Sequence, residues 1–144
     1  MHKTVLCPID FSDASLISLD YAVKMAKKEN LGLSVLYNFR LIQKEKDEEI
    51  VTFKRRMEGE AREKFRALEK NFPETVKEDC RFMVEVGFIA DSIKAHARKN
   101  EVAFLVMDSE IGTSLGLNGR TSGAFLEDLG VPVIIVPEKK LTAL

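Results

Sequence analysis

Apolar residues follow two alternating rhythms along this chain. Residues 4–9, Thr-Val-Leu-Cys-Pro-Ile, form a short apolar run and predict a buried strand. Pro8 falls at its C-terminal end, where a ladder hydrogen bond can be spared. Ser12 then offers an N-cap oxygen and Asp13 a first-turn negative charge, which predicts a helix start. Ile17, Tyr21 and Met25 recur at four-residue spacing beside Ala14 and Ala22, and Leu16, Leu19, Val23 and Ala26 form a second stripe. So broad an apolar face predicts a helix packed firmly on a sheet. Asn30 and Gly32 bracket its exit, and residues 33–39 predict a second strand.

From about residue 44 to residue 72 the rhythm is helical throughout. Ile50, Phe53, Met57, Ala61, Phe65, Leu68 and Phe72 form one stripe, and Pro73 ends the helix. The other faces mix charges. The basic cluster at residues 54–56 has acidic neighbours a turn away, which favours a solvated, ion-paired face over a phosphate or nucleic-acid site. Phe82, Val84 and Val86 alternate in a third strand over residues 81–86, punctuated by Gly87. Ile89, Ala90, Ile93 and Ala97 define a short helix ending near Asn100, and residues 102–107 form a fourth strand, apolar on both faces. A glycine-rich stretch follows from Asp108 to Gly123. Phe125, Leu126 and Leu129 then predict a last helix closed by Gly130, and residues 132–136 a fifth strand ended by Pro137.

Strands and helices alternate, with crossovers long enough to join parallel strands, so the fold class is α/β: an open sheet with helices on both faces. In such sheets ligands bind beyond the carboxyl ends of the strands, where strand order reverses. Those ends hold Pro8, Asp10 and Ser12, and Asp108 with its glycine loop.

Composition narrows the function classes. A chain of 144 residues suits a single domain over its whole length, and 22 basic against 23 acidic residues exclude a generally basic nucleic-acid binder. The longest apolar run is far short of the ~20 residues of a membrane helix, and no signal-peptide core is present. Cys7 and Cys80 lie far apart without metal-ligand spacing, which suits reduced thiols in a cytoplasmic protein. His2 is terminal, and His96 has no histidine or cysteine four residues on, so zinc is not expected.

The opening Val5-Leu-Cys-Pro-Ile-Asp-Phe-Ser12 resembles the first strand and turn of the universal stress protein family, V-x-V-P-x-D-x-S. Residues 82–107, and Gly119 followed by a helix and the Val131-Pro-Val-Ile-Ile-Val136 strand, resemble the rest of that family's domain in order and spacing. The resemblance implies a Rossmann-like five-stranded parallel sheet of order 3-2-1-4-5, with Asp10 and Asp108 side by side at the switch point. It also implies an ATP site built on G-x-x-G-x9-G-S/T after the fourth strand, with Mg²⁺ accompanying the nucleotide. The matching positions here are Pro8, Asp10, Ser12, Asn38, Met107, Asp108, Gly112, Gly119 and Arg120.

Several of them depart from the motif. Asp108 replaces the first glycine, Ile111 the second with Gly112 one place late, and Arg120 the hydroxyl after Gly119; the loop is also about two residues shorter than usual. Asp108 is expected to set a negative charge against phosphates. Arg120 could restore a phosphate partner, or Asp10 and Asp108 could share a Mg²⁺. The cofactor therefore stays open. Asp10 reads equally as a turn carboxylate, Asn38 reads better as a polar strand end facing solvent than as an adenine contact, and a plain surface loop would show the same glycines.

No nucleophile accompanies Asp10 and Asp108, and no Ser-His-Asp set can be assembled. A receiver domain would want acidic, aspartate and lysine residues where Phe11, Gly87 and Pro137 stand, and a haloacid-type phosphatase wants D-x-D-x-T. The expectation is a non-enzymatic stress-response binding or signalling module. The alternative is an ATP-binding sensor with weak hydrolysis. Residues 133–136 are expected at a sheet edge, and relatives commonly pair their final strands, so a homodimer through this edge is expected, with residues 138–144 a loose tail.

Overall fold

The computed structural model describes residues 3–41, 47–99, 101–117 and 123–137. Five parallel strands, β1 (Thr4–Ile9), β2 (Gly32–Phe39), β3 (Cys80–Val86), β4 (Val102–Asp108) and β5 (Val133–Val136), lie in the order β3-β2-β1-β4-β5. One face carries α1 (Asp13–Glu29), α2 (Asp47–Glu69) and the short α3 (Glu74–Lys77). The other carries α4 (Ile89–Lys99), α5 (Ser109–Ser114) and α6 (Gly123–Leu129). The two cores are separated by the sheet, with Val5, Cys7, Ile9 and Val35 on the first side and Leu6, Leu36, Leu105 and Met107 on the second. Among the described residues no helix is long and apolar enough to cross a membrane.

The switch point lies between β1 and β4, where the strand order reverses. The β1–β2 ladder runs to Ile9 paired with Tyr37, whereas the β1–β4 ladder stops at Leu6 paired with Leu105. Pro8, which has no N–H to donate, lies just beyond the last β1–β4 pair.

Helix α1 begins as expected. The Ser12 side chain accepts from the Ser15 N–H, and Asn30 closes the helix in the left-handed region at φ 58°. Its buried face differs from the expected stripe. Ser15, Ser18, Leu19, Ala22, Val23 and Ala26 are buried, whereas Ile17 and Tyr21 are 38% and 42% exposed. The two serines can be buried because their hydroxyls donate to carbonyls three residues back, at 3.1 and 2.9 Å.

Three other boundaries shift. Helix α2 ends at Glu69, and Pro73 instead starts α3, whose single turn bridges α2 and β3. The stretch after β4, expected as a loop, opens with α5. Asp108 explains it: at φ −82° it is an N-cap, and its Oδ1 accepts the Ile111 N–H at 2.9 Å. The tail at 138–144 lies outside the described residues.

Candidate functional site

The carboxyl ends of β1 and β2, the β3–α4 turn and α5 surround a cleft of about 470 Å³. Asp10, Asn38 and Arg40 supply its polar groups, and Phe88, Ile89, Ile111 and Leu115 its apolar walls. Sites for small molecules have this make-up, a mainly apolar cleft with a few polar groups.

Asp10 stands at its mouth, exposed, directly after β1. Its Oδ1 accepts from the Ser12 amide at 3.0 Å and from the Ser12 hydroxyl at 2.5 Å. Burial alone would raise its pKa, but the Ser12 hydroxyl and amide favour the charged form more strongly, and the net shift is downward. The stabilisation this carboxylate contributes is therefore in place above about pH 4 and fades as the pH falls through the lowered value. Asp10→Ala should consequently lower the urea midpoint at pH 7, and the gap to the unmodified protein should narrow at about pH 3. Phe11, between Asp10 and Ser12, sits at φ 65°, a conformation that costs a non-glycine residue on the order of 1 kcal/mol. Its ring contacts, 5.1 Å from Tyr37 and 6.3 Å from Phe82, oppose that cost. Tyr37 has its phenol pushed up by burial and by the charges of Asp10 and Glu60.

Asn38 does not face solvent as one reading expected. Its amide donates to the Gly87 carbonyl at 3.3 Å and to the Ser92 hydroxyl at 2.8 Å, tying β2 to the β3–α4 turn. Its Oδ1 is buried with no hydrogen-bond partner among the described residues. Across the cleft the Arg40 guanidinium lies 4.3 Å from the centre of the Phe88 ring, which is 58% exposed. Arg40, Phe88 and Ser92 are absent from the expected set. The available signal is an aromatic residue straight after Gly87 at a strand end, where an exposed ring has no core to fill.

Pro8 and Met107 are fully buried in their strands, and their side chains do not line the cleft. Asp108 overturns the electrostatic expectation. It is 1% exposed and does not line the cleft, and its Oδ2 has no partner among the described residues. Burial, with the Asp108 charge adding to it, pushes the Cys7 thiol up to about 12. A repulsion between this group and phosphates in the cleft is therefore not what the fold arranges. Its work is to cap α5, so Asp108→Ala should cost about 1 kcal/mol in urea unfolding, while Asp108→Asn, which keeps the cap oxygen, should cost less than half of that.

Gly112 lies buried within α5, and a Cβ there would approach Ile135 Cδ1 to 3.0 Å. Its smallness lets α5 sit down on β5. Gly119 and Arg120 lie outside the described residues. The ends of β1 and β4 are neighbours, as the strand order requires, but Asp10 and Asp108 diverge, one exposed and one buried. Among the described residues no group of three or more histidine, cysteine or acidic side chains is placed to hold a metal ion. His96 meets Glu85 at 2.6 Å instead, joining α4 to β3.

The fold has many solved counterparts. The universal stress protein UspA from Lactobacillus plantarum superposes with TM-score 0.70 at 17% identity, covering 96% of this chain and 98% of that one. A universal stress protein in complex with cAMP gives 0.62 at 18% identity, over 94% and 97%. The universal stress protein from Archaeoglobus fulgidus in complex with dAMP gives 0.56 at 16% identity, over 94% and 97%. At these identities the likeness establishes the fold. No curated protein matches the chain significantly in sequence. The sequence model of the Universal stress protein family matches residues 1–137, nearly the full length. By that match, and by a sheet of order 3-2-1-4-5 with its crevice at the end of a Pro-x-Asp-x-Ser strand turn, the chain belongs to the universal stress protein family.

Proposed function

We propose that the protein is a single-domain, non-enzymatic and homodimeric binding or signalling module acting in the stress response in the cytoplasm. Helix α5 is the observation that carries this reading. Where the nucleotide motif of the family calls for a bare glycine loop, this chain has a helix capped by Asp108, and Ile111 and Leu115 project toward the cleft. The Ile111 N–H is already taken by Asp108 and is not free for an anion. Among the described residues the cleft also lacks an assembled nucleophile and base, since Asp10 is held by Ser12 and the amide of Asn38 by Gly87 and Ser92.

Support for the dimer comes from β5. It is the last strand of the sheet, with Ile135 37% exposed. Pairing two such edges about a two-fold axis leaves no edge open. A second reading, a nucleotide sensor with weak ATP hydrolysis, draws on the cleft itself and on the cAMP and dAMP complexes of similar folds. Native mass spectrometry of the purified protein tests both. The proposal expects about 32 kDa, twice the 16.2 kDa chain, without bound ATP. A 16 kDa species, or a stoichiometric ATP adduct, would overturn it.

A further inference from the structure

Helix α1 packs on β1 and β4 while α2 packs on β3, and a crevice of about 460 Å³ is left between α1 and the α2–α3 turn. We infer that this crevice binds an anionic amphiphile: an aliphatic chain bearing one carboxylate. Leu16, Leu19, Val23, Leu68, Phe72 and Pro73 line it, and Leu19 and Val23 belong to the first core, so the crevice opens directly onto buried apolar surface. Its volume lies within the roughly 300–1,000 Å³ of small-molecule sites. A docked helix, about 10–12 Å across, would fill it with a single turn. That is too little for a protein partner to be held specifically.

Charge at the rim selects the head group. Asp20 and Lys24 pair with each other at 3.0 Å and cancel. Lys27, one turn further on and exposed, has no acidic partner among the described residues. Asn71 offers an amide from the other wall. One uncompensated ammonium and one amide match a single carboxylate. A polyphosphate would need many more donors than these two. A cationic head would be repelled by Lys27. This site lies on the face of α1–α3, away from the cleft lined by Phe88 and Leu115, and does not depend on the function proposed for that cleft.

Titration of ¹⁵N-labelled protein with octanoate, decanoate and dodecanoate, each below its micellar concentration, tests the inference. Saturable shift changes are expected at Leu16, Leu19, Val23 and Leu68, with affinity rising up to about fourfold per added methylene while the chain is being buried. Decyltrimethylammonium, with the same chain and the opposite charge, should bind at least about tenfold more weakly. Lys27→Glu, a change at an exposed position, should weaken decanoate about three- to tenfold and leave the dependence on chain length intact. Unsaturable binding, shifts centred on the cleft around Phe88, equal affinity for the two head groups, or a Lys27→Glu titration like that of the unmodified protein would each overturn the assignment.

Discussion

Replacing Ile135 with lysine should convert a particle of about 32 kDa into one of about 16 kDa, given a chain of 16.2 kDa. The residue lies in the outermost strand, and its side chain is 37% exposed above Gly112. Lysine at such a place can lay its methylenes along α5 and carry its ammonium into water, so the isolated fold tolerates it. At a two-fold edge junction the same substitution faces its own copy, and two ammonium groups are brought together where apolar side chains had met. Weakening of the dimer by about a hundredfold or more is expected, read by light scattering at micromolar concentration. The urea midpoint of the monomeric variant should stay close to that of the parent once the loss of dimer linkage is allowed for. A variant that unfolds outright would mean that Ile135 belongs to the core, and one that keeps its doubled mass would mean that β5 is not the junction.

The largest loss of stability is expected at Phe65. Helix α2 has 23 residues, and Ala61 and Phe65 are the buried ones among its described side chains. Phe65 stacks on Phe82 of β3 with ring centres 4.3 Å apart and planes within 2°, and meets Phe72 edge-on at 5.8 Å. It is thus the peg that fastens α2 to the sheet. Phe65→Ala should cost about 3–5 kcal/mol, the range of buried aromatic truncations, out of a total that is about 5–15 kcal/mol for an ordinary domain. Phe53, half-buried against Phe39 near the start of α2, should cost far less on truncation. A loss below about 1 kcal/mol at Phe65 would show that α2 is held by something other than this ring stack.

Periodicity made the architecture legible. The apolar runs of β1 and β4, the helical stripe of α2, the Ser12 cap and the Gly130 stop all carry signals that act within a few residues. What escaped depended on partners distant in sequence. The buried flank of α1 includes Ser15 and Ser18, which look polar until their hydroxyls are seen to bond within the helix. Ile17 and Tyr21, apolar at helical spacing, are the side of α1 turned away from the sheet. Asp108 reads in isolation as a charge spoiling a phosphate loop, yet an aspartate before a short run is also a helix cap, and the cap is what the chain uses. Asn38 looks like a strand end facing water because its partners, Gly87 and Ser92, are some fifty residues away in sequence. The sequence directs attention to the carboxyl ends of β1 and β4, whereas the cleft is walled by β1, β2, the β3–α4 turn and α5, so Arg40 and Phe88 were not legible in it.

The most direct test of the non-enzymatic reading is thermal unfolding with MgATP at millimolar concentration, against the same sample in EDTA, with released phosphate measured in parallel. Because α5 follows β4 directly and its Ile111 N–H is taken by Asp108, an unchanged melting temperature and no phosphate above the protein-free control are expected. A ligand present at 100 times its dissociation constant adds about 2.7 kcal/mol, so binding would be plain in the melting curve. A rise of that size, accompanied by phosphate release, would contradict the account and establish the nucleotide sensor in its place.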